Sequence, residues 1–271
     1  MLSRTHALAR RLRALRGDAA LREAEGVFVA EGVHLALEAL KTGATIEAVV
    51  VSPRLSTHDE GRDLARRFHA AGIKVHESSE ATLDALQDAR SPQPIVLIVR
   101  RERPTLSVVL AGRGGTQLLV VACGVQEPGN VGALWRTADA AGATGFVTTP
   151  GCANLTHPRA VRASMGAIFR LPATEAALNN DVMGEVESSG FRFIGADARG
   201  GVDYDLAEWG GAVALFIGGE GAGLPPQVRD HLDQRVAIPM APGVESLSVA
   251  AAAAVLLFTA ARKRGAINRA G

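Results

Sequence analysis

The stretch that decides the fold spans residues 127–138 and has the sequence EPGNVGALWRTA. It follows residues 118–123, a nearly continuous apolar run typical of a strand that is buried on both faces. Pro128 and Gly129 predict a turn, and Asn130 is a candidate for the N-cap of the helix that follows. The stretch is therefore predicted to lie at the carboxyl end of a strand, where open α/β sheets bind their ligands.

Around this stretch, apolar runs alternate with segments of helical periodicity along the whole chain, beginning with a helix predicted over residues 3–20. Residues 1–103 are predicted to form a smaller α/β domain. Residues 104–115, which begin with Pro104 and end in Gly-Arg-Gly-Gly, are interpreted as a linker. Residues 116–271 are predicted to form a second α/β domain with a mainly parallel sheet.

The composition is that of a globular chain. Of 271 residues, 47% are apolar and 21% are charged, which excludes a disordered chain, a collagen-like repeat and a coiled-coil rod. The longest apolar run, residues 249–258, is shorter than the ~20 residues that a membrane-spanning helix needs. Residues 1–16 lack a continuous apolar signal core but are rich in Arg, so a transit peptide is the alternative to a cytoplasmic chain.

The sequence offers little for a metal or a disulfide framework. Its two cysteines, Cys123 and Cys152, are too few for either and are interpreted as buried thiols. Its seven histidines form no HExxH motif. We therefore expect no metal.

Two later stretches of the sequence also contain loops that directly follow predicted strands. Residues 218–223, GGEGAG, do not fit the dinucleotide-binding pattern. Their glycines at 219, 221 and 223 resemble the glycine loop of classical methyltransferases, and a tight turn is the simpler alternative. Residues 238–249, IPMAPGVESLSV, predict a strand end, a Pro-Gly loop and a helix start, with Ser246 or Ser248 as a candidate N-cap.

In order and spacing, the three stretches resemble the three motifs of the SpoU/TrmH family of RNA ribose 2′-O-methyltransferases, in the SPOUT superfamily. The matching residues are Pro128, Asn130, Gly132, Arg136, Thr137 and Ala138 in the first motif, Gly218, Glu220 and Gly223 in the second, and Ile238, Pro239, Met240, Ser246, Leu247 and Val249 in the third. Residues 28–32, FVAEG, resemble the substrate-binding domain with a ribosomal-protein-like fold that often precedes them. The sequence departs from these patterns at Ser248, where the family usually has Asn, and at Pro94, where the front domain usually has Gly.

The resemblance implies a deep trefoil knot at the carboxyl end and S-adenosyl-L-methionine bound among its loops. It implies catalytic roles for Asn130, Arg136, Glu220, Ser246 and Ser248. It implies cofactor contacts at Gly218, Gly219, Ile238, Met240, Ser246 and Leu247. Because a guanidinium stays protonated in proteins, we expect Arg136 to grip a phosphate and stabilise alkoxide charge rather than act as a base.

The resemblance also implies RNA as the partner, ribosomal rather than transfer RNA, and a homodimer. The short apolar runs predict no membrane partner. Residues 1–22 contain six arginines and one acidic residue, a cluster that suits phosphate contact, although a solvated helix face would look the same. The candidate RNA-binding residues are Arg4, Arg10, Arg11, Arg136, Arg162 and Arg170.

Two other functions stay open at this stage. Because Ser248 replaces the family's usual Asn, one alternative is a knotted protein that binds RNA or assists ribosome assembly but does not methylate RNA. The spacing of the glycines in residues 218–223 also fits a methyltransferase of the classical fold that acts on a small molecule. A measurement of cofactor binding would distinguish the first alternative from an enzyme. The second alternative is disfavoured because the glycine loop lies near the end of the predicted domain rather than after its first strand.

Overall fold

The computed structural model describes residues 1–57, 59–87, 91–112, 117–177, 179–198 and 200–265. Its strands are β1 (Val27–Glu31), β2 (Ile46–Val51), β3 (Val75–Glu77), β4 (Ile95–Arg100), β5 (Leu118–Cys123), β6 (Gly145–Thr148), β7 (Ala173–Glu175), β8 (Arg192–Ala196), β9 (Val202–Asp203), β10 (Val213–Gly218) and β11 (Gln234–Ala237). Its helices are α1 (Ala7–Gly17), α2 (Ala19–Glu25), α3 (Val33–Thr42), α4 (Asp59–Ala70), α5 (Glu80–Asp84), α6 (Leu106–Ala111), α7 (Pro128–Ala140), α8 (Pro158–Ala163), α9 (Ala167–Arg170), α10 (Asn180–Ser188), α11 (Pro226–Arg229) and α12 (Val249–Lys263). Within the described ranges, no helix has the length and apolar character needed to span a bilayer.

The chain divides into two compact units. The first consists of Met1–Glu102 together with Asn154–Phe169, and the second consists of Arg103–Ala153 together with Arg170–Gly271. The segment Asn154–Phe169, which carries α8, thus packs with the first unit although its position in the sequence lies within the predicted second domain.

The first unit is built on a mixed four-stranded sheet with the order β1-β4-β2-β3. β4 pairs antiparallel with β1 and β2, and β2 pairs parallel with β3. Side chains alternate between the two faces of a strand, so Val27 and Val29 of β1 pack with Leu12 and Leu15 of α1. The intervening side chains of β1 pack on the other face, with α3, α4 and Val161 of α8.

A buried arginine ties α1 to the segment that returns from the second unit. Arg22 is 2% exposed, and it donates to the carbonyl oxygens of Leu15 and Arg16 and to the hydroxyl of Thr156. The single helix predicted over residues 3–20 is wrong: Asp18 has extended backbone geometry, and its side chain caps α2. The break lets α2 turn back so that Arg22 reaches the end of α1.

The second unit contains a seven-stranded sheet with the order β7-β6-β5-β10-β8-β11-β9, in which every described neighbouring pair is parallel. This confirms the predicted α/β class and the mainly parallel sheet. All six residues of β5 are buried, as its apolar run predicts. Parallel pairing aligns the carboxyl ends of the strands along one edge of the sheet.

Helices cover both faces of this sheet. Val109 of α6, Met183 of α10 and Val228 of α11 share one apolar cluster with β5 and β10, and α7 packs against α12 elsewhere in the unit. The predicted linker 104–115 therefore includes part of the core, because Thr105 caps α6 and both Val109 and Leu110 are buried. Residues 113–115 of that stretch lie outside the described residues.

Candidate active site

The loops that follow three adjacent strands enclose a cavity in the second unit. β10, β8 and β11 lie side by side, and the loops after their carboxyl ends meet the first turns of α12 around a volume of about 580 Å³. Small-molecule sites commonly occupy ~300–1,000 Å³ and lie at this edge of parallel sheets. The position and size of the cavity are therefore those of a cofactor site.

The structure brings seven of the predicted site residues to this cavity, and they come from the second and third motifs. They are Gly218, Gly219 and Glu220 after β10, Ile238 and Met240 after β11, and Ser246 and Leu247 before α12. Asp197, Arg229 and Glu245 also line the cavity and were not predicted. Asp197 could have been predicted from the sequence, since it directly follows strand β8 and therefore lies at the same edge of the sheet.

The glycine loop is packed too closely for side chains at its first two positions. A Cβ on Gly218 would lie 2.3 Å from the carbonyl carbon of Gly223, and one on Gly219 would lie 2.3 Å from the carbonyl oxygen of Gly124. The Gly219 amide donates to the Cys123 carbonyl oxygen at 2.8 Å, which fixes the loop against the end of β5. Glycine here allows main chain to approach main chain, and it leaves backbone groups at the cavity wall.

Asn130 and Glu220 meet across the sheet edge. β5 and β10 pair in register up to Cys123 and Gly218, so the residues just beyond them are neighbours. The Asn130 side-chain amide donates to a Glu220 carboxylate oxygen at 2.9 Å. The predicted capping role of Asn130 is wrong, because α7 begins earlier and the Glu127 side chain accepts from the Asn130 backbone amide at 2.7 Å. That shift frees the Asn130 side chain for Glu220.

Arg136 lies six residues beyond Asn130 on α7, about 1.7 helical turns further along. Its side chain is exposed and makes no hydrogen bond or ion pair with any residue that the structure describes. It does not line the cavity. An uncommitted guanidinium on the same helix as Asn130 is available to an anionic ligand that approaches from solvent.

The two serines of the third motif separate into different roles. Ser248 is the N-cap of α12, and its hydroxyl accepts from the Ala251 amide at 3.3 Å. Ser246 lines the cavity. Since Asn and Ser are comparable N-caps, the family's usual Asn at position 248 would serve the same helix end.

The other predicted RNA-binding arginines differ in how far they are already engaged. Arg11 forms ion pairs with Glu25 and Glu47, and Arg170 forms one with Asp139. Arg162 lies 3.6 Å from Glu31, Arg4 donates to the Ala81 carbonyl, and Arg10 is exposed on α1. Ion-paired arginines have fewer donors left for RNA.

Both cysteines are free, and Cys123 is buried as predicted. Cys152 is half-buried, and its thiol donates to the Ala122 carbonyl at 3.2 Å. Burial, with a smaller contribution from Cys152, raises the pKa of the Cys123 thiol to about 12, so it stays protonated and unreactive at neutral pH. No group of metal-ligating side chains occurs among the described residues.

The cavity residues fit S-adenosyl-L-methionine. Ile217, Val236 and Leu256 supply apolar wall for an adenine ring, and the Gly218–Gly219 backbone supplies groups that approach a ligand without side-chain interference. The carboxylates of Glu220 and Asp197 also border the cavity, where they can attract a positively charged sulfonium. The donor set therefore suits a cationic, partly apolar ligand.

Comparison with known proteins agrees with this geometry. Residues 117–258 match the model of the SpoU rRNA Methylase family, and residues 9–97 match the MRM3-like substrate binding domain. The chain is 30% identical over 234 residues to the 23S rRNA (guanosine(2553)-2′-O)-methyltransferase RlmP of Bacillus subtilis, covering 85% of this chain and 87% of that protein. It is 28% identical to the 23S rRNA (uridine(2479)-2′-O)-methyltransferase of Streptomyces viridochromogenes, covering 93% and 88%.

Solved structures with a similar fold are also methyltransferases of this kind. The SpoU methyltransferase AviRb from Streptomyces viridochromogenes, in complex with the cofactor AdoMet, is similar with a TM-score of 0.84 at 27% identity, covering 95% of this chain and 98% of that one. The AdoMet-bound rRNA methyltransferase from Sinorhizobium meliloti is similar with a TM-score of 0.83 at 28% identity, covering 97% of each. The motifs, the cavity and these matches together establish that the chain belongs to the SpoU rRNA methylase family.

Proposed function

We propose that this chain transfers a methyl group from S-adenosyl-L-methionine to a ribose 2′-hydroxyl of ribosomal RNA. The observation that carries the proposal is the convergence of the second and third motifs on one cavity, to which the Asn130–Glu220 hydrogen bond joins the first motif. The cavity binds the methyl donor, and the Asn130–Glu220 pair marks where the acceptor hydroxyl is presented. Such alignment of two reactants can supply ~7–11 kcal/mol of a barrier.

The residues of this chain perform three tasks in that reaction. When bound, S-adenosyl-L-methionine supplies an electrophilic methyl group on a positively charged sulfur. The glycine loop and Ser246 hold the donor in one orientation. The Asn130–Glu220 pair orients the ribose. Arg136 contacts the neighbouring phosphate and stabilises the negative charge that develops on the 2′-oxygen as its proton leaves to solvent.

Asn130 and Glu220 should behave as one functional unit. Asn130→Ala and Glu220→Ala are each expected to lower kcat by about tenfold or more, because each leaves the other partner without its orienting bond. The double variant should lose little beyond the more severe single variant, with a coupling energy of roughly 0.5–3 kcal/mol. Single-turnover methylation of ribosomal RNA measures all four rates.

Glu127→Ala is the structural control for this cycle. It removes the cap of α7, which costs roughly 0.5–2 kcal/mol of stability, but leaves the Asn130–Glu220 bond in place. Additive losses in the double variant would contradict the assignment of Asn130 and Glu220 to a single unit.

The overall activity is tested by mapping 2′-O-methyl groups in total RNA from cells with and without the gene. The proposal predicts one or a few positions in ribosomal RNA whose methylation disappears, and that purified protein plus cofactor restores. Loss of a transfer-RNA position instead would contradict the proposed substrate. With ribosomal RNA as its substrate, the protein is expected to act in the cytoplasm.

Residues 1–103 would then serve as the substrate-binding domain and residues 116–271 as the methyltransferase domain. We further propose a homodimer. α12, which packs against α7, leaves Phe258 46% exposed on an Ala-rich helix. An apolar residue of this size on a packed helix pair is a common feature of subunit contacts. Sedimentation velocity should show a particle of twice the chain mass.

A further inference from the structure

A second, smaller concavity lies in the first unit, at the free edge of its sheet. β1 is the edge strand, and its last residue, Glu31, meets the end of α1 and the start of α8. Arg16, Glu31, His157, Pro158, Arg159 and Arg162 line a volume of about 80 Å³. A single water needs roughly 10–15 Å³ of such space, so the concavity has room for a larger polar group.

The charge of this concavity is strongly unbalanced. Arg16, Arg159 and Arg162 contribute three guanidinium groups, and Glu31 contributes one carboxylate, which leaves an excess of two positive charges. Arg159 is exposed, and its side chain has no hydrogen bond or ion pair to the described part of the chain. An anion in the concavity would therefore meet an excess of positive charge and an uncommitted guanidinium.

Glu31 acts as the support of the cluster. Its side chain is 6% exposed and lies between two guanidinium groups, 3.5 Å from Arg16 Nε and 3.6 Å from Arg162 Nη1. A buried carboxylate in this position fixes both arginines while neutralising only one of them. Neither distance is that of a short hydrogen bond, so donors of both arginines are left for a ligand.

The backbone around the cluster is also held in place. Arg16 Nη1 donates to the Leu86 carbonyl at 2.5 Å, and the buried Arg22 bonds both the Arg16 carbonyl and the Thr156 hydroxyl next to His157. His157 Nδ1 accepts from the Arg159 amide, which places the proton of its neutral ring on Nε2. The concavity is thus a preorganised set of donors, which reduces the ordering cost of binding.

The surroundings favour a polymeric anion over a single one. Arg10, Arg13 and Arg16 follow one another at intervals of three residues on α1, so they form a stripe that advances roughly 4.5 Å along the axis per step and ends at the concavity. A free phosphate would use the concavity alone. A nucleic-acid backbone would also follow the stripe.

We propose that Arg16, Arg159 and Arg162, supported by Glu31, form a binding site for one phosphate of the RNA backbone. The site extends the proposed function and rests on it: the phosphate belongs to the ribosomal RNA that this chain methylates. Arg16, Arg159 and Arg162 are then RNA-contacting residues, and Glu31 is a positioning residue. The planar guanidinium fork matches phosphate oxygens in two parallel bonds.

Arg159→Gln tests the site. The variant is expected to fold, because the Arg159 side chain holds no described residue in place. A host 23S rRNA transcript should bind about tenfold more weakly at low salt, and the slope of log Kd against log salt should fall by about 0.7, the contribution of one phosphate contact on single-stranded RNA. Affinity for S-adenosyl-L-methionine, measured by calorimetry, should equal that of the wild type.

Arg66→Gln is the matched control, since it removes an exposed arginine of the same unit that pairs with Asp63 and does not line the concavity. It should leave both the affinity and the salt slope unchanged. Wild-type affinity and slope in Arg159→Gln would overturn the proposal. So would an effect of Arg159→Gln that appears only in a titration with inorganic phosphate, because the site would then take a free anion.

These outcomes are distinct from failure of the proposed function. If the wild-type protein binds the transcript with an Arg159-dependent slope but transfers no methyl group, the phosphate site stands and the proposed activity fails. If it methylates the transcript and Arg159→Gln binds normally, the activity stands and the phosphate site fails.

Discussion

Arg136→Ala is expected to lower kcat for RNA methylation by about 100- to 1,000-fold, the usual cost of removing one donor that stabilises developing charge. Arg136→Lys should also lose at least about tenfold, since it keeps the charge but lacks the planar fork. Neither variant should weaken S-adenosyl-L-methionine binding, because Arg136 does not line the cavity. Single-turnover kinetics measure the first effect and calorimetry the second.

Arg262→Ala is a suitable control for these variants. Arg262 is an exposed arginine of α12 in the same unit, and it pairs with Asp205. Its loss should leave kcat within about twofold, as expected for a surface ion pair worth ~0–1 kcal/mol. Near-normal turnover of Arg136→Lys would show that a positive charge alone is sufficient for catalysis. The proposal that the planar Arg136 guanidinium forms two parallel hydrogen bonds with a phosphate would then be wrong.

Gly219→Ala should abolish tight cofactor binding. Its Cβ would lie 2.3 Å from the Gly124 carbonyl oxygen, which is main chain and cannot rotate away. The loop must move outward, so we expect Kd for S-adenosyl-L-methionine to rise by about 10- to 100-fold, equivalent to ~1.4–2.8 kcal/mol. Overpacking of this kind also costs roughly 1–3 kcal/mol of stability. Calorimetry and urea unfolding measure the two effects.

Gly184→Ala provides the comparison. Gly184 lies in α10, where a methyl group added to its Cα would meet no other atom within 4 Å and the backbone conformation is that of an ordinary helix. Alanine there should raise stability by roughly 0.5–1 kcal/mol and leave cofactor affinity unchanged. Unaltered cofactor affinity in Gly219→Ala would show that the glycine loop does not shape the site.

Much of the site could be predicted from the sequence because its residues lie in loops after strands. β5 and β10 are apolar runs, and their carboxyl ends share one edge of a parallel sheet with that of β11, so the loops that follow these strands lie at the same edge. Seven predicted residues line one cavity for this reason. The trefoil knot and the individual catalytic roles stay predictions.

Helix boundaries were predicted less well, since they depend on competition between neighbouring caps. Asn130 and Glu127 are both capable of capping α7, and only the structure shows that Glu127 does so. The basic concavity was missed because Glu31 and Arg159 are far apart in sequence.

Because Asn154–Phe169 belongs to the first unit, the two units cannot be separated by a single cut in the chain. The chain passes between the two units three times, at residues 102–103, 153–154 and 169–170, whereas two domains arranged in succession are joined by a single linker. Val161 is an integral part of the apolar interior of the first unit. A gene fragment that stops after the amino-terminal half would lack this piece, and a protease cut between the halves would not release two autonomous bodies.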